Sequence, residues 1–288
     1  MTEVYPAAAS IIEQQVASER DVCDFLSINR SSFQAWRRFE TTEREESDAV
    51  LQPIITVIFR KHRGRYGSRR IVEELKSMNL RCSRRRVSKL MENAGLHAIQ
   101  PKSFKPRTTE SRHRLGYSPN LLLDLPEPTA PSQLWVGDIT YIPVERIGFG
   151  YLSTLMDRYT RKIVGWDFRD DMTEQLTVTA LQRSIRLVQP PAALIHHTDR
   201  GGQYAGTRYR GILARASMRQ SMSRAGDCYD NAFMESCFGT LKTEMSMTEY
   251  KSMVVARREL IEYIEYYNTQ RRHSSLGYLT PAQFEAAA

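Results

Sequence analysis

The sequence predicts an α/β domain built on one mixed sheet, preceded by a smaller all-α region that binds a polyanion. Three observations carry this. From Leu134 onward, short apolar runs of strand type give way to alternating helices and strands. Before Leu134, apolar residues recur at helical spacing with turn signals between them. The net charge of +8 is also localised. Residues 1–48 carry 5 Lys/Arg against 10 Asp/Glu, residues 49–117 carry 17 against 4, and residues 118–288 carry 19 of each. Thirteen excess positives beside a neutral domain read as a polyanion site rather than a solvated face. No amphipathic helix with an aromatic edge turns that patch toward a membrane.

Composition closes off other classes. The 288 residues are 41% hydrophobic and 26% charged, a globular balance long enough for two domains. No apolar run approaches the ~18 residues of a membrane span. The first residues, MTEVYPAAASIIEQQ, lack the basic and apolar regions of a signal peptide. Cys23, Cys82, Cys228 and Cys237 form no C-x-x-C pair and read as reduced cytosolic thiols.

Taken in order, residues 1–48 form a helical, helix-turn-helix-like segment. Val22, Phe25 and Leu26 give one apolar face, Ser27 to Asn29 a turn, and Phe33 with Trp36 a second face. An ordinary helical hairpin fits this pattern equally. Residues 49–97 repeat the arrangement as a basic DNA-binding domain. Leu51, Ile54, Ile55, Val57 and Ile58 predict a helix up to Lys61, followed by R-G-R-Y-G-S-R-R with Arg69 and Arg70. A helix from Ser68 to Met78 and another opening at Ser83 follow, with both serines as N-caps. The last helix turns Val87, Leu90 and Met91 inward and leaves Arg84, Arg85, Arg86 and Lys89 outward. A recognition helix presents basic residues to DNA from that half.

Residues 98–133 read as a linker, since six prolines and Lys102, Lys105, Arg107, Arg112 and Arg114 prevent a packed core. Its basic first half suits a phosphate backbone. Residues 134–285 then predict three antiparallel strands in W-V-G-D-I-T-Y-I-P-V, Y-L-S-T-L-M-D and K-I-V-G-W-D-F. Gly148-Phe149-Gly150 and Arg158 to Arg161 separate them. A helix from Thr173 to Val188 buries Leu176, Ala180, Ile185 and Leu187. A-L-I-H-H-T-D is a buried fourth strand, Thr207 to Ala216 a helix, and R-Q-S-M-S a fifth strand. Helices over Asn231 to Met245 and Met253 to Asn268 complete the order.

Such a sheet would bring three acids together: Asp138 in the first strand, Asp199 at the end of the fourth, and Glu235 in the first turns of a helix. A carboxylate in a buried strand is costly unless paired or holding a metal, and an oxygen-only cluster suits Mg²⁺ or Mn²⁺. Each acid alone has another reading. Asp138 fits a surface strand residue, Asp199 a turn former before Gly201-Gly202, and Glu235 a charge favoured by the helix dipole.

The ordered motifs carry a resemblance. W-V-G-D-I-T-Y-I, D-R-Y-T-R-K-I-V-G-W, H-T-D-R-G-G-Q-Y, D-N-A-F-M-E-S-C-F-G-T-L-K-T-E and Y-N-T-Q-R-R-H-S-S-L-G-Y-L-T-P resemble the integrase core of retroviral-integrase-like DDE transposases. Over roughly residues 15–285 the chain resembles the second-reading-frame (OrfB) transposase of the insertion-sequence-three family. Y-G-S-R-R-I and the Arg-rich helix are similar to that family's helix-turn-helix. The resemblance implies an RNase H-like integrase core, a mixed five-stranded sheet with flanking helices, after a small all-α helix-turn-helix DNA-binding region. It implies a catalytic, metal-holding triad of Asp138, Asp199 and Glu235 with two Mg²⁺ or Mn²⁺ ions, and Lys242 meeting DNA near the site. It further implies double-stranded DNA partners (terminal inverted repeats and target), a homo-oligomer on DNA, and the upstream-frame protein as a further partner. The activity implied is cleavage at element ends and joining of the 3′-hydroxyl to DNA. An RNase H-like nuclease that only hydrolyses, and a DNA-binding regulator with an inactive core, are the rival readings.

Other residues are given lesser roles. Asp230 and Asn231 read as N-cap residues, Asp157 as a turn or salt-bridge residue, and His196 and His197 as structural, one on each side of a strand. Asn268, Arg271 and His273 suggest packing, or DNA contact through Arg271. Cys228 and Cys237 lack the partnered base that a nucleophile needs.

Overall fold

The computed structural model describes residues 4–38, 42–100, 115–123, 125–224, 232–245 and 249–288. Lys102, Lys105, Arg107, Arg112, Arg114, Cys228, Asp230 and Asn231 lie outside the described residues. The chain divides into two compact units, Met1–Gly64 with Glu74–His97, and Arg65–Glu73 with Ala98–Ala288. No helix among the described residues is long and apolar enough to cross a membrane.

The first unit opens with α1 (Val4–Glu13), α2 (Glu19–Phe25) and α3 (Arg30–Arg37). Ser18 and Asn29 start the second and third, their side-chain oxygens accepting from Asp21 N and Ser32 N. Ala8, Val22, Cys23 and Phe33 make a small core, with the Tyr5, Phe33 and Trp36 rings in mutual contact. Phe25, expected on this face, is 85% exposed. At 100° per residue, Val22, Cys23 and Leu26 define the inward stripe, and Phe25 points away from its centre.

Helix α4 (Glu43–Lys61) begins well before the expected apolar run, because Thr42 and Glu45 close a capping box. The break expected between residues 48 and 49 therefore falls inside a continuous helix. Leu51, Ile55 and Ile58 are buried, whereas Val57, expected with them, is exposed. Helices α5 (Ser68–Ser77) and α6 (Arg84–Asn93) follow. Ser83 caps α6 through Arg86 N, as expected. Ser68 instead sits inside α5, and the Gly67 carbonyl accepts from Arg70 N and Ile71 N. Val87, Leu90 and Met91 face inward, also as expected.

The second unit is a five-stranded mixed sheet in the order β3-β2-β1-β4-β5. Its strands are β1 (Leu134–Val144), β2 (Gly148–Asp157), β3 (Ile163–Arg169), β4 (Ile195–Thr198) and β5 (Arg219–Met222). The first three are antiparallel, while β4 runs parallel to both β1 and β5. Gly148-Phe149-Gly150 belongs to β2, and the turn before it is Glu145 to Ile147, with Arg146 and Gly148 at positive φ.

Helices α7 (Glu174–Val188), α8 (Gly202–Ala205), α9 (Thr207–Arg215), α10 (Ala232–Glu244), α11 (Met253–Thr269) and α12 (Pro281–Ala286) flank the sheet. Trp135, Leu155, Leu181, Tyr209 and Met222 belong to the main core, each such side chain worth about 1.5–3 kcal/mol of burial. Leu187, expected in that core, is 75% exposed because α7 ends at Val188 with Gln189 in the left-handed conformation. A Cβ on Gly165 would lie 1.8 Å from Ser184 Oγ, so glycine there lets α7 sit directly on β3. Asp157 is a buried turn residue, accepting from Ser132 N, Tyr159 N and Thr160 N.

Candidate active site

The site follows from one pairing. Parallel β1 and β4 align Gly137 with Thr198, so Asp138, within β1, and Asp199, just past the end of β4, lie side by side on strands about 4.8 Å apart. Local hydrogen bonds orient both carboxylates. Asp138 Oδ1 accepts from Ile139 N at 2.7 Å, and Asp199 Oδ1 accepts from Gly201 N at 2.9 Å. Both line a cleft with Ile139, Tyr141, Met172, Gln203 and Tyr204. Gln203 Nε2 donates to the Met172 carbonyl at 3.1 Å and closes one wall.

The electrostatics bring in two further predicted residues. Burial, and then the neighbouring Asp199 carboxylate, hold the Asp138 carboxyl well above the ordinary range. Glu235 acts in the same sense, while Ile139 N–H and the Lys242 ammonium oppose it. Lys242 is itself lowered by burial and partly restored by Asp138. Glu235 lies on the exposed side of α10 and Lys242 is half-buried two turns later. Among the described residues, no three of His, Cys, Asp and Glu are close enough to hold an ion together. Asp138 and Asp199 thus form the near pair, and Glu235 reaches Asp138 through its field.

The donor set fits a hard divalent cation. It is all oxygen, carries like charges, and contains a carboxyl whose ionisation a cation would restore.

His196 and His197 stay out of the cleft. His196 Nε2 lies 2.6 Å from the Tyr209 hydroxyl, and His197 bonds Ser221 at 2.8 Å and Ser223 at 3.2 Å. Both are fully buried, and burial pushes His196 down to about 3. A Cβ on Gly137 would come within 2.9 Å of the His196 ring, so the residue before Asp138 has no side chain.

Three arginines expected at DNA are engaged inside their own units. Arg271 is buried against Glu244, with Nε and Nη2 at 2.8–2.9 Å from its carboxylate oxygens. Burial is the largest influence and works against this guanidinium, but the hydrogen bonds and charge of Glu244, with Tyr263 and Tyr267, together raise its pKa. Arg70 Nε donates to the Arg272 carbonyl at 3.1 Å and its Nη1 lies 3.6 Å from Glu244. Arg86 Nε donates to Asp48 at 2.6 Å. In each case a carboxylate distant in sequence captures the side chain. Arg69, Arg84, Arg85 and Lys89 are exposed. Asn268 brackets Ile163, accepting from its N–H at 2.9 Å and donating to its carbonyl at 3.0 Å.

Sequence reasoning passed over Tyr204. Its side chain is buried at the cleft floor, where burial, Asp138 and Asp199 push its phenol well up. Its signal was an aromatic five residues after the turn acid. It also passed over Glu244, which gathers Arg271, Arg70 and the Tyr263 hydroxyl.

Comparison with known proteins agrees with this architecture. The integrase core domain family matches residues 128–228 and 216–281, and an HTH-like domain family matches residues 45–104. The insertion element IS600 uncharacterized 31 kDa protein of Shigella sonnei is 41% identical over 265 residues, covering 91% of this chain and 97% of that protein. Transposase InsF for insertion sequence IS3A of Escherichia coli (strain K12) is 36% identical over 272 residues, covering 93% and 94%. Among solved structures, the HTLV-2 integrase catalytic core domain in complex with magnesium is 15% identical. It covers 55% of this chain and 98% of that one, with a TM-score of 0.44. An HTH-like segment, an integrase core and relatives this similar over most of both chains place the protein: it belongs to the IS3 family of insertion-sequence transposases.

Proposed function

We propose that this chain cleaves insertion-sequence ends and joins the exposed 3′-hydroxyl to DNA at Asp138, Asp199 and Glu235. The observation that carries the reading is the parallel β1–β4 pairing, which sets Asp138 beside Asp199 where Glu235 and Lys242 act on the same carboxyl. Asp138, Asp199 and Glu235 would hold two Mg²⁺ or Mn²⁺ ions, which when bound activate the attacking oxygen and neutralise charge on the phosphodiester. Two displacements follow. In the first, a water oxygen bonds to phosphorus and the 3′ oxygen leaves with a proton. In the second, that 3′-hydroxyl attacks another phosphodiester and releases a new 3′-hydroxyl.

The chain's own residues position DNA. Lys242, half-buried beside Asp138, sets a positive charge against a phosphate near the scissile bond. The exposed Arg69, Arg84, Arg85 and Lys89 supply end recognition, with Lys102, Lys105 and Arg107 of the linker along the backbone. The partners are the terminal inverted repeats and target DNA, a second copy of the chain on that DNA, and the upstream-frame protein. The test is one assay with labelled element ends: nicked ends followed by joined products support the reading. Nicks without joined products would leave a hydrolytic nuclease, and binding without nicks a regulator.

A further inference from the structure

Away from the cleft, three arginines from three elements converge on one buried carboxylate. Asp167 on β3 is 3% exposed at its side chain. Its Oδ2 takes Arg169 Nε at 3.0 Å, and its Oδ1 takes Arg183 Nη1 at 2.8 Å with Arg257 Nη1 at 3.7 Å. Arg183 also donates to the Trp166 carbonyl at 3.2 Å, and Arg257 to the Phe168 carbonyl. These contacts use Nε of Arg169, Nη1 of Arg183 and the two Nη atoms of Arg257. Among the described residues, both Nη of Arg169, and Nε and Nη2 of Arg183, have no partner and remain for a ligand. The three side chains are 36–47% exposed and line an open cavity of about 380 Å³. One carboxylate cannot neutralise three guanidiniums, and the exposed Asp170 at the rim still leaves positive charge in excess. Fixed guanidinium forks with spare donors around a cavity are the chemistry that takes a phosphate bidentately.

The sheet register connects this cavity to the cleft. Tyr141 of β1 pairs with Tyr151 of β2, and Tyr151 pairs with Arg169 of β3. Paired residues share one face, so the three form a row across the sheet, roughly 10 Å for two strand spacings. Tyr141 lines the cleft of Asp138 and Asp199, and Arg169 lines the arginine cavity. The Tyr141 and Tyr151 rings meet edge-on at 5.5 Å between centroids, and both are partly exposed. An aromatic step between a catalytic cleft and a cationic seat suits a nucleic-acid strand.

We propose that Arg169, Arg183 and Arg257, oriented by Asp167, form a seat for a DNA backbone phosphate, reached from the cleft across Tyr141 and Tyr151. This rests on the reading of DNA as substrate. The first test uses the full wild-type chain and phenylglyoxal, which modifies free guanidiniums, with mass spectrometry after incubation with a 30-base-pair duplex. Protection of the trio by duplex is expected, and it should fade as salt rises. Protection of Arg84 and Arg85 without the trio overturns the seat but leaves the DNA reading intact. No protection at any arginine overturns both. Equal protection by inorganic phosphate at the same phosphate concentration makes the seat one for a small anion and overturns the DNA assignment. The second test replaces Arg169→Gln and Arg183→Gln together, with a melting curve to establish folding. The slope of log K against log salt should flatten by about 0.9 for one lost phosphate contact. An unchanged slope in a folded variant refutes the seat.

Discussion

Replacing Arg271 with methionine should destabilise the second unit rather than weaken DNA contact. The guanidinium is 5% exposed and makes three contacts of 2.8–2.9 Å with Glu244, which is 7% exposed. Removing it strands a buried carboxylate, a loss of about 3–5 kcal/mol. Two groups remain to soften this, the Tyr263 hydroxyl at 3.2 Å and Arg70 Nη1 at 3.6 Å, so the lower end, about 3 kcal/mol, is expected. In a chain of this size each kcal/mol moves the midpoint by about 2–4 °C, giving a fall of roughly 6–12 °C. Urea and thermal unfolding of Arg271→Met, Glu244→Gln and the double variant measure it. The double variant should recover most of the loss, because no buried charge is then left without its partner. Where Arg271→Met remains folded, its DNA affinity should keep the wild-type salt slope. A single variant within about 0.5 kcal/mol of wild type, or a double variant no better than Arg271→Met, would refute the buried-pair reasoning.

Other outcomes follow from the same geometry. Asp138→Asn, Asp199→Asn and Glu235→Gln should each abolish end cleavage with binding intact. Cleavage should require Mg²⁺ or Mn²⁺ and be poorly supported by Ca²⁺, so full activity in any variant, or in excess chelator, would break the triad assignment. Arg84→Ala with Arg85→Ala should flatten the salt dependence of binding by about 0.9 per lost phosphate contact. Arg86→Ala should instead lower stability by releasing Asp48, and equal slopes for all three would contradict this division. His196 and His273, each held down to about 3 chiefly by burial, are neutral in the fold, whereas an unfolded histidine takes up a proton near pH 6.5. Their contribution is complete above pH 6.5 and is lost as pH falls toward 3, by up to about 1.4 kcal/mol per pH unit for each, so urea stability that stays flat from pH 7 to 5 would rule it out.

The sequence makes the order of the core elements legible, because β-strand and helix periodicities are local properties of the chain. It singles out Asp138 within a strand, Asp199 at a strand end, and Glu235 and Lys242 on one helix, since each lies in a contiguous motif. It also assigned His196 and His197 to opposite faces of a strand, which alternation alone requires. Which charges are available depends on long-range packing. Arg70, Arg86 and Arg271 look as free as Arg84 and Arg85 in the sequence, but the first and third meet Glu244 and the second meets Asp48. Likewise Tyr66 reads as part of a DNA-binding segment, yet its hydroxyl accepts from Arg272 N at 2.8 Å and donates to the Gln270 carbonyl at 3.1 Å, more than 200 residues away. Phe25 and Leu187 fit an apolar period but end on the surface, because where a short helix stops and what covers it are settled by its neighbours. Periodicity fixes which residues share a face. Partners far along the chain fix what each face meets, and long-range contacts leave no mark on the local pattern.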